Sequence, residues 1–332
     1  MSLFRFSLVQ TSLSPSFAAL FLGLLFSTTK AEELRGDWSL SLESGTPAWL
    51  SIKRIDGKPV IKMRLHVGPE GPQTKIKEEN GRLSFTLKQN KKQKDTKTVD
   101  LGIKGGKLEG IIVSTLENGK VTKIPFTGKK IPPVSLTSPD LTKVRFGLPL
   151  SIFNGRDLTG WRPHEKDKLN GWSVKDGLLV NTTPKTDFSA TGAYANLRTD
   201  AVYEDFWLHI EFLVQEKSNS GVYLRGMYEA QVVDRDSRMQ GLQGVGSVFG
   251  RIAPSKNAGK KGGEWQSYDL TLVDRHITVI LNGEKVIDNQ PVTGPTGGAV
   301  FTDPTAPGPI HLQGDHTSVA YRNIYLAPVI KE

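Results

Sequence analysis

The chain has 332 residues, with 43 Lys and Arg against 34 Asp and Glu, and no cysteine. That length allows two hydrophobic cores, and 37% hydrophobic with 23% charged residues is the balance of a globular chain, not of a disordered or polytopic membrane one. The absence of thiols excludes disulfides, cysteine nucleophiles and cysteine-based metal sites, while 34 glycines and 19 prolines with few helical patterns favour a β-rich fold.

The first 31 residues differ from the rest. Arg5 precedes the apolar run 17-FAALFLGLLF-26, and 29-TKA-31 ends in a small residue, which is the layout of a cleavable secretory signal with cleavage after Ala31. The run is too short to cross a bilayer as a finished helix. A secreted or periplasmic location is therefore expected. Removal of Arg5 and Lys30 would lower the net charge from +9 to +7. Much of the remaining excess lies in 88-KQNKKQKDTK-97, which reads as a solvated hairpin tip; without interleaved aromatics it does not read as a nucleic-acid surface.

Residues 35–130 are a succession of short alternating segments, such as 37-DWSLSLE-43, 83-LSFTLK-88 and 121-VTKIPFTG-128, separated by turns rich in Gly, Asp and Asn. Period-two alternation with frequent turns predicts a small antiparallel β-barrel or sandwich, and no catalytic constellation stands out in it. Residues 131–149, with four prolines and no periodicity, predict a linker.

From 150 to 330 the strand pattern strengthens. Phe206, Leu208, Ile210, Phe212 and Val214 alternate with Trp207, His209, Glu211, Leu213 and Gln215, so the first set predicts a core face. In 276-HITVILNGEKVID-288, Asn282-Gly283 suits a type I′ hairpin turn. The strand count predicts an all-β sandwich of the jelly-roll kind.

Nine blocks in order, among them 152-IFNGRDLTGWRPH-164, 219-NSGVYLRG-226, 229-EAQVVD-234, 253-APSKNA-258, 263-GEWQSYDLTL-272 and 309-PIHLQGDHTSVAYRNIYL-326, resemble the secreted bacterial 3-keto-disaccharide hydrolase domains. The resemblance implies a concanavalin A-like fold over roughly 150–328, and the preceding block more loosely resembles an accessory domain of planctomycete-type proteins. It also implies cleavage of glycosides bearing a C3 ketone, with an oxidised disaccharide as substrate and a separate sugar 3-oxidoreductase acting upstream. The ketone acidifies the C2 hydrogen, so a base can form an enolate, the C1 aglycone leaves, and water adds back. Such chemistry needs a base, an oxyanion stabiliser and an acid.

Alternation puts Tyr223 with Arg225, and Glu229 with Gln231, on one strand face, while Val222, Leu224, Ala230 and Val232 face a core. If the strands are neighbours, Glu211 joins that polar face; the bland reading is an Arg–Glu ladder on a solvated surface. Arg225 is a candidate for holding the C3 carbonyl or a hydroxyl pair, Glu229 or Glu211 for the base, and His316 for an acid or base. Asp234 is a candidate to orient Arg225 or to help bind a cation, and Asn219 and Gln313 to contact sugar. The loop 253–265 adds Lys256, Asn257, Glu264 and Trp265 as contacts to enolate, hydroxyls, leaving group and ring face. His164, His209, His276 and His311 read as structural, and Phe249 stands where family members commonly carry Tyr. No cofactor is required by this scheme; a divalent cation held by scattered oxygens, such as Asp234 and Asp315, is the one metal the sequence leaves open. A non-catalytic carbohydrate-binding module, or a structural envelope protein, would use the same sandwich.

Overall fold

Two sets of strands form because two stretches of the chain alternate apolar and polar side chains. The computed structural model describes residues 32–66, 70–88, 94–184 and 188–330; the expected signal at 1–31 and half of the basic tip, 89–93, lie outside them. No helix among the described residues is long and apolar enough to cross a membrane.

The first set comprises β1 (Gly36–Leu42), β2 (Pro47–Ile55), β3 (Lys58–Leu65), β4 (Thr74–Glu79), β5 (Arg82–Thr86), β6 (Thr96–Lys104), β7 (Lys107–Thr115) and β8 (Val121–Ile131). They make one antiparallel sheet in the order β3-β2-β1-β8-β7-β6-β5-β4. The segment leading into β4 hydrogen-bonds back to β3, through Met63 N to Glu70 O (2.9 Å) and Gln73 N to Ile61 O (2.8 Å), so the sheet curls towards closure as a barrel. Alternate residues, including Trp38, Leu40, Leu50, Ile52, Ile61, Met63, Phe85 and Phe126, fill its interior. Burying each such side chain is worth about 1.5–3 kcal/mol.

The second set makes two sheets. A five-stranded one runs β10 (Trp161–Pro163), β13 (Leu197–Thr199), β20 (His311–Leu312), β15 (Ser220–Leu224), β16 (Tyr228–Val232). The other runs β11 (Trp172–Lys175), β12 (Leu178–Asn181), β21 (Val319–Pro328), β14 (Phe206–Leu213), β17 (Gln266–Val273), β18 (His276–Leu281), β19 (Glu284–Pro291), with β9 (Leu150–Ser151) paired to β21. Phe206, Leu208, Ile210 and Phe212 from β14 meet Val222, Leu224, Ala230 and Val232 from the facing sheet in one core. The fold is the all-β jelly-roll sandwich that the strand pattern predicts. The β18–β19 turn takes Asn282 at φ 52° and Gly283 at φ 82°, as a type I′ hairpin requires.

The barrel and the sandwich touch through specific bonds. Ser39 Oγ lies 2.8 Å from Thr302 Oγ1, Lys129 Nζ donates to Asp303 Oδ2 at 2.8 Å, and Gly298 N donates to His66 O at 3.0 Å. The proline-containing segment between them runs along β19, where Asn289 Nδ2 donates to Pro139 O at 2.7 Å.

Candidate active site

On the face of the five-stranded sheet turned away from the core lies a cavity of about 410 Å³, within the range of roughly 300–1,000 Å³ usual for small-molecule sites. Its floor is set by strand register. Tyr223 on β15 stands directly opposite Glu229 on β16, and Gly221 opposite Gln231, so Tyr223, Glu229 and Gln231 share the face that alternation assigns them. Two glycines make room for this pair. A Cβ at Gly221 would come within 2.4 Å of Glu229 Oε1, and one at Gly298, whose φ is +76°, within 2.7 Å of Tyr223 Oη.

Glu229 is buried, at 3% exposure. Burial pushes its carboxyl up to about 8, the negative Asp315 adds to the rise, and the hydrogen bond with Tyr223 and the charge of Arg64 oppose it. The Tyr223 phenol is pushed well above its ordinary range, by burial and then by Glu229, so it stays protonated and donates; its hydroxyl gives a 2.8 Å bond to Gly297 O and receives one from Gln313 Nε2 at 3.4 Å.

The loop after β20 forms one side. His316 Nδ1 lies 2.6 Å from Asp315 Oδ1; a carboxylate there holds the proton on Nδ1 and leaves Nε2 for exchange. Asn196 fixes this loop by accepting Gly314 N at 2.8 Å and Asp315 N at 3.3 Å. Asn219 is anchored by its backbone N to Thr317 Oγ1 (2.8 Å) and its Nδ2 to Phe188 O (3.1 Å). Among the cavity's buried side-chain atoms, Asn219 Oδ1, His311 Nδ1 and Gln313 Oε1 have no hydrogen-bond partner within the protein. Such atoms are costly unless a ligand or water completes them.

His311, read from sequence as structural, thus lines the cavity. It packs edge-on to Tyr223 with ring centroids 4.9 Å apart and to His164 at 5.7 Å. Burial, then the neighbouring His164, His66 and Arg198, push its imidazole well below the usual range, so it is neutral at neutral pH. Phe249 also lines the cavity. Arg64 and His66, from the block in which no catalytic group stood out, complete the lining. Their signal is tertiary: nothing in the spacing of a barrel strand tells which end of it meets a second sheet.

Several predicted site residues lie elsewhere. Arg225 is not on the strand but just beyond it, at φ 56° in the left-handed region, which turns its side chain away from Tyr223. It is buried, donates from Nη2 to Pro304 O (2.7 Å) and Ala306 O (2.6 Å), and faces Asp205 at 4.0 Å, so it clamps a loop. Glu211 projects from β14 in the other sheet, where Arg322 Nε and Asn323 Nδ2 each donate to it at 2.7 Å. Burial would raise its carboxyl, but these bonds outweigh it and hold it below its ordinary value. Trp265 lies against Arg322, 4.0 Å from ring centroid to guanidinium. Lys256 pairs with Glu284, Asn257 Nδ2 donates to Arg235 O at 3.0 Å, and Glu264 is exposed. The loop 253–265 therefore does not close over Glu229, contrary to the sugar contacts expected of its four residues. Asp234 lines a separate cavity with Glu216, Lys217 and Arg238, away from Asp315, and does not orient Arg225. Among the described residues no group of three or more His, Asp or Glu is placed to hold a metal ion.

The jelly-roll sandwich thus carries a buried carboxyl at the floor of a polar cleft. The chain belongs to the family of 3-keto-α-glucoside-1,2-lyase-like domains, which residues 149–327 match. A 3-keto-disaccharide hydrolase of Bacteroides thetaiotaomicron is 22% identical over 166 residues, 42% of this chain; the chain spans 57% of that relative's length. Among solved structures, a candidate glycosyl hydrolase from Parabacteroides distasonis aligns with 55% of this chain and 94% of its own at 20% identity and a TM-score of 0.44. Porphyranase B of Zobellia galactanivorans aligns with 61% of this chain and 100% of its own at 9% identity and a TM-score of 0.34.

Proposed function

We propose that the cleft cleaves 3-keto-glycosides, 3-keto-disaccharides in particular, by elimination followed by hydration. The observation that carries this reading is Glu229, a buried carboxyl at the cleft floor beside unpaired polar atoms of Asn219, His311 and Gln313. A carboxylate with a raised proton affinity is a stronger base than an ordinary one, which suits abstraction of the weakly acidic C2 hydrogen.

Glu229 takes the C2 proton, and the C–H electron pair moves through C2–C3 onto the ketone oxygen. The neutral His311 imidazole, whose Nδ1 has no partner within the protein, would donate to that oxyanion. Collapse of the enolate forms the C1–C2 double bond and expels the aglycone from C1, with His316 protonating the leaving oxygen and Asp315 holding the imidazole. Water then adds its oxygen to C1, and a proton returns to C2, giving net hydrolysis. An upstream oxidoreductase acting at C3 would supply the substrate, and a secreted or periplasmic setting would suit the expected signal segment.

The test is incubation of the purified protein with 3-keto-trehalose, 3-keto-cellobiose and the unoxidised parents, with and without chelator. Release of the aglycone from the keto sugars alone supports the reading. Cleavage of the parents alone overturns it, and binding of the keto sugars without release would instead favour a carbohydrate-binding module.

A further inference from the structure

We propose that the N-terminal barrel is a wall of the substrate cleft, with Arg64 and His66 contacting the leaving sugar of the disaccharide. The inference rests on the keto-glycoside reading and deepens it by assigning the second sugar's place.

Arg64 is on β3, and His66 lies just past its end, where the barrel meets the sandwich. His66 O accepts Gly298 N at 3.0 Å, and His66 Nδ1 lies 3.0 Å from Ala299 O. A carbonyl only accepts, so Nδ1 carries the proton, which leaves Nε2 to bond a sugar hydroxyl. The same loop supplies Gly297 O, which takes the Tyr223 hydroxyl bond. One short loop thus ties the barrel end to the cleft floor.

Arg64 is held as firmly. Its Nη2 donates to Glu70 Oε2 at 2.9 Å, and Arg251 of the sandwich grips both oxygens of the same carboxylate, at 2.6 and 3.1 Å. Lys62 Nζ stands 3.3 Å from Glu70 as well. Three cations around one carboxylate leave the wall positive, and the charge of Arg64 acts on both Glu229 and Tyr223. An interface serving only to join two units would cover these groups; here they border a cavity with the catalytic floor. With the keto ring over Glu229 and Tyr223, the barrel side is left for the aglycone.

The test uses the full chain carrying R64Q, R64K or H66A, each also in an E229Q background for binding. R64Q and H66A are expected to raise KM for 3-keto-trehalose about tenfold, and to weaken its binding to the E229Q protein by a like factor, the loss of one good hydrogen bond. R64K, which keeps charge but not the planar fork, is expected to recover part of the loss. Melting temperatures of H66A within about 2 °C of the parent would separate contact from folding. If both R64Q and H66A bind and turn over like the parent, the wall assignment is overturned while the keto-glycoside reading stands. If the parent binds 3-keto-trehalose without cleaving it and R64Q or H66A binds it more weakly, cleavage fails and the wall stands; absence of binding by the E229Q protein overturns both.

Discussion

Replacing Glu229 with Gln keeps the shape of the side chain and removes its charge, so two consequences separate cleanly. Activity should fall by a factor of about 10² or more, since proton transfer by a positioned base contributes roughly 10²–10⁴. Stability should move the other way. In the folded protein burial raises the carboxyl from 4.5 to about 8, so the native state holds the proton more tightly than the unfolded chain. The parent therefore loses stability as pH rises from the unfolded value through about 8, and the loss is complete above that. At about 1.4 kcal/mol per tenfold, the full penalty is roughly 5 kcal/mol, an order-of-magnitude figure. For a domain of this size that corresponds to roughly 10–20 °C in melting temperature. E229Q, lacking the ionisation, should melt near the parent at pH 5 and well above it at pH 9. The assay is a thermal melt of both proteins across pH 5–9, with turnover measured on the same samples. Parallel melting curves at every pH would refute the burial argument, and unchanged turnover would refute the role of Glu229.

Tyr223→Phe removes the hydrogen bond that opposes the rise at Glu229; the acidic limb of the pH–rate profile, which a catalytic base sets, should move to higher pH and turnover at neutral pH should fall, whereas an unmoved limb would refute the coupling of the two groups. Gly221→Ala places a methyl 2.4 Å from Glu229 Oε1; kcat should fall by more than tenfold with the sheet intact by circular dichroism, and an unaltered kcat would show that the carboxyl can move without cost. Arg225→Met should destabilise by about 3 kcal/mol through loss of a buried charged clamp, lowering the melting temperature while the folded fraction keeps its KM; a raised KM with unchanged melting would return Arg225 to the substrate.

Alternation alone sorted Val222, Leu224, Ala230 and Val232 into the core and Tyr223, Glu229 and Gln231 onto the opposite face, because the period of two is a local property of strands. It failed at Arg225, where the chain leaves the strand and a positive φ reverses the side chain's direction. Glu211 was misplaced because strand neighbours in sequence need not share a sheet: β14 pairs with β17 and β21, not with β15. The 253–265 loop could not be placed from its residue types, since Lys256 finds Glu284 and Asn257 finds the Arg235 carbonyl only in the folded chain. His311 was hidden by its short strand, and Arg64 and His66 by the distance in sequence between the barrel and the sheet they border.

In the proposed mechanism the bond breaks by removal of the C2 proton, and solvent isotope incorporation reads that step directly. Cleavage of 3-keto-trehalose in D₂O should yield released 3-keto-glucose carrying one deuterium at C2, and substrate deuterated at C2 should be cleaved several-fold more slowly if abstraction limits the rate. Product that retains its original C2 hydrogen while the glycosidic bond is cut would contradict the mechanism.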